Sequence, residues 1–305
     1  MTAERLVVLS GPTASGKSAL ALALAREFPL EIVNADSLQV YRHFDIGTAK
    51  PTVAERGEVP HHLIDVADPD EPYDAGRYVR EAERAIGGIR AQGKVPMLVG
   101  GTGMYIRALL RGLDPLPSDP RVRAELSRRW VSEGGATLHA ELARIDPETS
   151  AKVHPSDRQR VLRALEIAVV AGIPPSRARA AWSSAGARHE CLFLAIWPDR
   201  ETLARRIDAR TEEMFRRGLA EEVRGLLARG FDRSLKPMMA LGYRHAAAHL
   251  LDGVPLPETI DAVKRDTRRY AKRQVTWLSS EPNLVHIVPG EAGRDPSEIV
   301  RMYLS

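Results

Sequence analysis

Eight consecutive residues, Gly11-Pro12-Thr13-Ala14-Ser15-Gly16-Lys17-Ser18, fit the pattern G-x-x-x-x-G-K-[ST], and these residue types suit one task, holding phosphate. Gly11 and Gly16 let the backbone curl so that its N–H groups and the N-terminus of a following helix face an anion. Lys17 adds a point charge, and Ser18 can reach a Mg²⁺ ion. The loop implies a diphosphate or a triphosphate without naming what carries it. Asp36 ends the stretch "EIVNAD", past a second apolar run, where a carboxylate can take a proton from an attacking nucleophile or serve as a loop or helix-cap residue. The run "KVPMLVGG" ends in glycine and continues as Gly100-Gly101-Thr102-Gly103, a hydroxyl and bare backbone where nucleotide-hydrolysing proteins with this loop carry a metal-binding aspartate.

These residues need elements to hold them. "RLVVLS", "LEIVNA" and "KVPMLVGG" read as buried strands, and "SALALALAREF" and "AGRYVREAERAIGGIRAQG" as the helices between them. Alternation of that kind gives a parallel sheet, with ligands outside the carboxyl ends of its strands, so the loop, Asp36 and Gly100 to Gly103 should line one crevice. Near Leu113 the texture turns rich in proline and aspartate, and no convincing strand recurs until "CLFLAIWP"; charged helices to about Leu278, a short "LVHIV" run and a terminal helix follow. The expected fold class is α/β, a P-loop NTPase-like parallel sheet core (1–112 and 190–305) with a mostly helical insertion domain (113–189).

Composition bounds the reading. A chain of 305 residues, 44% hydrophobic, can bury a full core, and a net charge of +4 means that any nucleic-acid surface is a local patch. One cysteine, Cys191, excludes an intrachain disulfide, and in an apparent strand it reads as a buried small hydrophobe. No apolar run approaches a membrane span and the N-terminal residues lack a secretory pattern, so the cytoplasm is the expected compartment. His61 and His62 are not expected to bind metal, because two sequential side chains rarely converge on one ion.

Three more stretches carry charge in a pattern. In "ETLARRIDARTEEMF" the helical stripe runs Leu203, Ile207, Arg210, Met214, so a guanidinium stands where an apolar side chain would be expected and needs a partner. In "DAVKRDTRRYAKRQVTW", Lys264, Arg268, Lys272 and Arg265, Arg269, Arg273 form basic rows, while Val263, Tyr270 and Trp277 lie on another face. In "SDRQRVLRALEIAVV" a capping box, Ser156 to Gln159, opens a helix that buries Val161, Leu162, Leu165, Ala168 and Val169 and leaves Arg160 and Arg163 for outside contacts. Arg121 and Arg123 add charge at the mouth of the insertion.

The segments "GPTASGKS", "NADSLQVYRHFDIGTAKP" and "GGTGMY", followed by "DRQRVLRALEI", "MFRRGLAEEVRGLL", "ALGYRHAA" and "TRRYAKRQVTWL", resemble the tRNA dimethylallyltransferase family, bacterial type. That resemblance implies transfer of a dimethylallyl group from dimethylallyl diphosphate to N6 of adenosine 37 in the tRNA anticodon stem-loop, with Mg²⁺ as cofactor. It makes Asp36 the base, puts Thr13 beside the leaving oxygen and turns Lys17, Ser18 and Arg210 to the diphosphate. Recognition of the adenine and its neighbours falls on Asp36, Ser37, Leu38 and Gln39, with Thr102 and Arg123 nearby. Further RNA contacts fall on Gln159, Arg160, Val161, Leu162 and Arg163 and on Lys272, Arg273 and Gln274. The RNA hairpin is expected between core and insertion, the chain to act as a monomer, and Met104 stands where that family commonly has leucine. The alternative is a small-molecule kinase of the same fold, with ATP at the loop.

Overall fold

The structure, a computed structural model, describes residues 5–112, 116–180, 188–289 and 295–305. It divides into two compact units, Met1–Gly112 with Arg188–Ser305, and Leu113–Ala187. The boundary lies at Arg188, two residues before the expected 190. Arg188 N donates to Leu110 O at 2.8 Å, and His189 Nε2 lies 3.0 Å from Glu83 Oε1.

The first unit holds six strands among the described residues: β1 (Val7–Ser10), β2 (Leu30–Asn34), β3 (His61–His62), β4 (Val95–Gly100), β5 (Leu192–Ile196) and β6 (Leu284–Ile287). They form one parallel sheet in the order β3-β2-β4-β1-β5-β6, so the expected sheet is present with the "LVHIV" run as its edge. Helices α1 (Lys17–Glu27), α2 (Val53–Glu58), α3 (Ala75–Ala91) and α4 (Gly103–Arg111) connect its first half. Strands covered on both faces read as unbroken apolar runs. Accordingly Val7 and Leu9 pack with Ala21 and Leu24 of α1, while the opposite pleat sends Val8 to the other face. Helix α1 follows from alanine and leucine, strong helix formers, and stops at Phe28, which adopts extended backbone ahead of Pro29.

The described residues of the second unit form helices α5 (Pro120–Glu133), α6 (Gly135–Ile145), α7 (Pro147–Lys152), α8 (Arg158–Ala171) and α9 (Pro175–Ala180). Leu126, Leu138, Leu142, Val161 and Leu165 form its own core. Two local expectations change. The cap of α8 is Asp157, whose carboxylate accepts from Arg160 N at 3.1 Å, rather than Ser156. Val169 is exposed, because the last turn of α8 runs past that core.

The first unit resumes after β5 with α10 (Arg200–Arg216), α11 (Leu219–Ala228), α12 (Tyr243–Asp252), α13 (Leu256–Leu278) and α14 (Pro296–Leu304). Cys191 sits one residue before β5, half-buried, and its burial pushes the thiol up to about 11. His61 Nδ1 meets Val59 O at 2.6 Å and His62 Nε2 meets Glu31 Oε2 at 2.7 Å, so the two rings have separate partners. No described helix is long and apolar enough to cross a membrane.

Candidate active site

The sheet order makes β2, β4 and β1 neighbours, so Asn34, Val99, Gly100 and Ser10 end side by side. Ser10 Oγ donates to Gly100 O at 2.8 Å, which ties the strand below the phosphate loop to the glycine turn. A side-chain carbon on Gly100 would lie 2.2 Å from Ala35 O; the glycine is there so that the backbone before Asp36 can pass. In the loop, Gly16 takes φ 99°, and Ala14 is also left-handed at φ 63°. Lys17 Nζ donates to Pro12 O at 3.4 Å, and Ser15 Oγ is buried without a hydrogen-bond partner.

Asp36 is held by its neighbours. Asn34 Oδ1 accepts from Asp36 N at 3.1 Å, Asn34 Nδ2 donates to Asp36 O at 3.2 Å, and Asp36 Oδ1 accepts from Leu38 N at 2.9 Å. Thr102 Oγ1 accepts from Ser37 N at 3.0 Å, so the hydroxyl after β4 positions this turn. Beside it opens a cavity of about 570 Å³ whose lining includes Thr13, Asp36 and Arg210 as well as Ile207, Met214 and Tyr270. Both kinds of surface suit a ligand with a charged end and a hydrocarbon end.

Arg210 donates from Nη2 to Thr48 O at 3.5 Å and has no carboxylate in salt-bridge range among the described residues. Burial lowers its pKa and Asp36 opposes that. Lys17 is lowered to about 8, by burial first, then by Arg210, with Asp36 again opposing. A buried lysine whose charge is further disfavoured by a neighbouring guanidinium makes a site for an anion. Lys17 is charged below about pH 8, so affinity for an alkyl diphosphate should fall as pH rises through about 8. In Arg210→Met the fall should move to higher pH, because a like charge has gone. Isothermal titration across this range checks both, and an unmoved midpoint would remove Lys17 and Arg210 from a shared site.

The family model for IPP transferase matches residues 39–281, and that for isopentenyl transferase matches residues 4–64. This chain belongs to the IPP transferase family. A tRNA dimethylallyltransferase of Desulfosudis oleivorans is 47% identical over 304 residues, covering 99% of this chain and 97% of that protein. One from Anaeromyxobacter sp. is 49% identical over 286 residues, 93% of each chain. Among solved structures, a tRNA isopentenylpyrophosphate transferase from Bacillus halodurans superposes with a TM-score of 0.69 at 35% identity, covering 99% of this chain and 94% of that one. A eukaryotic dimethylallyltransferase acting on tRNA gives 0.81 at 28% identity, covering 98% of this chain and 77% of that one.

In this IPP transferase family member, several residues expected to touch RNA are committed within the protein. Gln274 is 4% exposed; its Oε1 accepts from Thr13 N at 2.8 Å and its Nε2 donates to Gly101 O at 3.0 Å, so it joins the phosphate loop to the glycine turn. Gln39 Nε2 donates to Thr48 O at 3.1 Å. Val161 and Leu162 are buried in the insertion core. Arg123 of α5 and Arg163 of α8 both bind buried Glu166 of α8, at 2.7 and 2.9 Å, and the first of these pairs ties α5 to α8. Gln159 and Arg160 are exposed. On α13, Lys264 pairs with Glu212 at 2.6 Å and Arg268 with Asp208, so one basic row is partly neutralised by α10; Arg265, Lys272 and Arg273 are exposed without an ion pair among the described residues. Trp277 packs against Gly103, under Arg107.

Sequence reasoning missed Asn34, whose amide grips both sides of Asp36, and Tyr270, which it placed only on the face of α13 away from the basic rows. It also missed Glu222, whose carboxylate accepts from Ile46 N at 2.8 Å and Tyr243 OH at 2.6 Å and thereby holds the loop that carries Thr48. Asn34 alone had a local signal, an amide two residues before the aspartate.

Proposed function

We propose that this protein transfers a dimethylallyl group from dimethylallyl diphosphate to N6 of adenosine 37 in the anticodon loop of tRNA, releasing pyrophosphate. Family membership carries the coarser part: it is a tRNA-modifying prenyltransferase, and the kinase alternative finds no support among its relatives. One observation supports placing the chemistry in the cavity. Asp36 stands there with Arg210 and Thr13, beside the phosphate loop and a lysine whose charge it influences.

An exocyclic adenine amine is a poor nucleophile, since its lone pair is delocalised into the ring. In the proposed step the N6–C1 bond forms as the C1–O bond breaks, and the electron pair of that bond stays on the diphosphate. The N6 proton goes to the Asp36 carboxylate. Lys17, Arg210 and the loop amides take up the charge on the leaving group, the kind of fixed stabilisation that costs no reorganisation during reaction. Apolar lining residues such as Ile207 and Met214 would shield the allylic carbon from water.

The residues fit a Mg²⁺ ion held mainly by the substrate. Among the described residues no group of three or more His, Cys, Asp or Glu side chains could hold an ion, whereas Ser18, exposed in the first turn of α1, offers one oxygen to an ion otherwise bound by phosphate and water. When bound, such an ion would neutralise charge on the diphosphate. The target base leaves its stack to reach Asp36, and exposed Lys272, Arg273, Gln159 and Arg160 supply phosphate contacts. Loop, base and cations all belong to one chain, which supports action as a monomer, and a tRNA substrate supports a cytoplasmic place.

Labelled dimethylallyl diphosphate and, separately, labelled ATP should be incubated with unmodified tRNA and with AMP. Label is expected in tRNA from the prenyl donor alone. Label in AMP, or phosphate transferred from ATP with tRNA inert, would overturn the reading.

A further inference from the structure

Beside Lys17 and Arg210, a third cation stands at the phosphate loop. Arg206 lies one helical turn before Arg210 on α10, so the two share a face. Its Nη1 donates to Ser15 O at 3.2 Å, and a side-chain carbon on Gly16 would lie 3.9 Å from the same nitrogen. The helix is seated there by Leu203 and Ile207, which pack with Ala14 of the loop. Its neighbour Arg205 pairs with Glu201 along the helix, at 2.5 Å. Arg206 has no carboxylate in salt-bridge range among the described residues, and it is exposed.

A guanidinium carries five N–H donors in a fixed fork, and one carbonyl uses a single donor. The rest of the fork lies at the Ser15-Gly16 edge of a loop whose ligand is a diphosphate, and Arg forks match phosphate oxygens two at a time. An alkyl diphosphate already carries more negative charge than Lys17 and Arg210 balance. It gains another as the C1–O bond breaks, with the electron pair left on the diphosphate oxygen. We propose that Arg206 is a further diphosphate-binding residue, donating to the terminal phosphate of dimethylallyl diphosphate and of the departing pyrophosphate from the solvent side of the loop. This rests on the prenyl-transfer reading above.

The test uses the full chain, Arg206→Gln and Arg206→Lys, with inorganic pyrophosphate as the probe in calorimetry and dimethylallyl diphosphate in kinetics. Glutamine keeps a donor for Ser15 O and loses the charge; lysine keeps the charge and loses the fork. Arg206→Gln should weaken pyrophosphate binding and raise KM for the prenyl donor roughly tenfold to a hundredfold, the scale of a charge-assisted bidentate contact. Arg206→Lys should recover part of the loss, with tRNA affinity and melting temperature unchanged in both. Wild-type pyrophosphate affinity in Arg206→Gln overturns the inference and leaves the prenyl-transfer reading standing. Equal losses in both variants with a lowered melting temperature would assign Arg206 to holding the loop, and also overturn it. A wild-type chain that binds no pyrophosphate overturns both.

Discussion

Asp36→Asn should reduce dimethylallyl transfer to tRNA by roughly 10²- to 10⁴-fold, the range that a positioned general base contributes. The substitution is close to isosteric, and the geometry around it survives. An asparagine Oδ1 can still accept from Leu38 N, and the main-chain bonds to Asn34 do not involve the side chain. What disappears is the capacity to take the N6 proton. Affinity for tRNA should stay within about twofold, because phosphate contacts dominate RNA affinity and residue 36 makes none. Single-turnover transfer with tRNA in excess, beside a filter-binding titration, separates the two effects. Transfer at near wild-type rate would place the base elsewhere, and a loss confined to tRNA binding would make Asp36 a recognition residue.

The second large effect is expected at Gly100→Ala. The new methyl carbon would sit 2.2 Å from Ala35 O and 2.3 Å from Ala35 C, main-chain atoms that no rotamer change can move aside. Gly100 also ends a strand registered against Ser10, so relief has to come from parting β4 and β2. Overpacking of this sort costs about 1–3 kcal/mol and sometimes more, and a rigid main-chain clash belongs at the upper end. The melting temperature should fall by roughly 5–10 °C, and transfer should fall with it because Ala35 leads directly into Asp36. Gly88→Ala is the control: nothing lies within 4 Å of its added carbon, and it is mid-helix in α3. That change should raise stability by about 0.5–1 kcal/mol. A Gly100→Ala chain that melts with the wild type would show that the strand ends are looser than their contacts indicate.

These two positions also show how far the sequence could be read. The phosphate loop was legible because its chemistry is contiguous, a strand, eight residues and a helix in one line of text. Asp36 was legible as a polar residue at a strand end, a place that parallel sheets reserve for ligands. Gln274 was not, since what it does is decided by Thr13 and Gly101, 261 and 173 residues away along the chain. That part of the basic face of α13 is paired was hidden for the same reason. Asp208 and Glu212 pair with Arg268 and Lys264 only after the chain has folded α10 onto α13. Two errors were local: Asp157 outcompetes Ser156 as the cap of α8, and β3 is two residues long, too short for periodicity to register. Burial of Val161 and Leu162 was legible in the helical phase of their segment.

The Gln274 bridge also bears on how substitutions in this protein combine. Thr13 N, Gly101 O and the Gln274 amide form one closed set, with Gly101 pressed so close that a side-chain carbon there would meet Gln274 Nε2 at 2.3 Å. Residues that share partners in this way do not have additive energies. Once Gln274 is shortened, the bulk that Gly101 must exclude is gone, and the damage done by enlarging Gly101 shrinks. The loop, the glycine turn and the end of α13 thus behave as a single unit under mutation, so a change in one is correctly judged only with the other two in view.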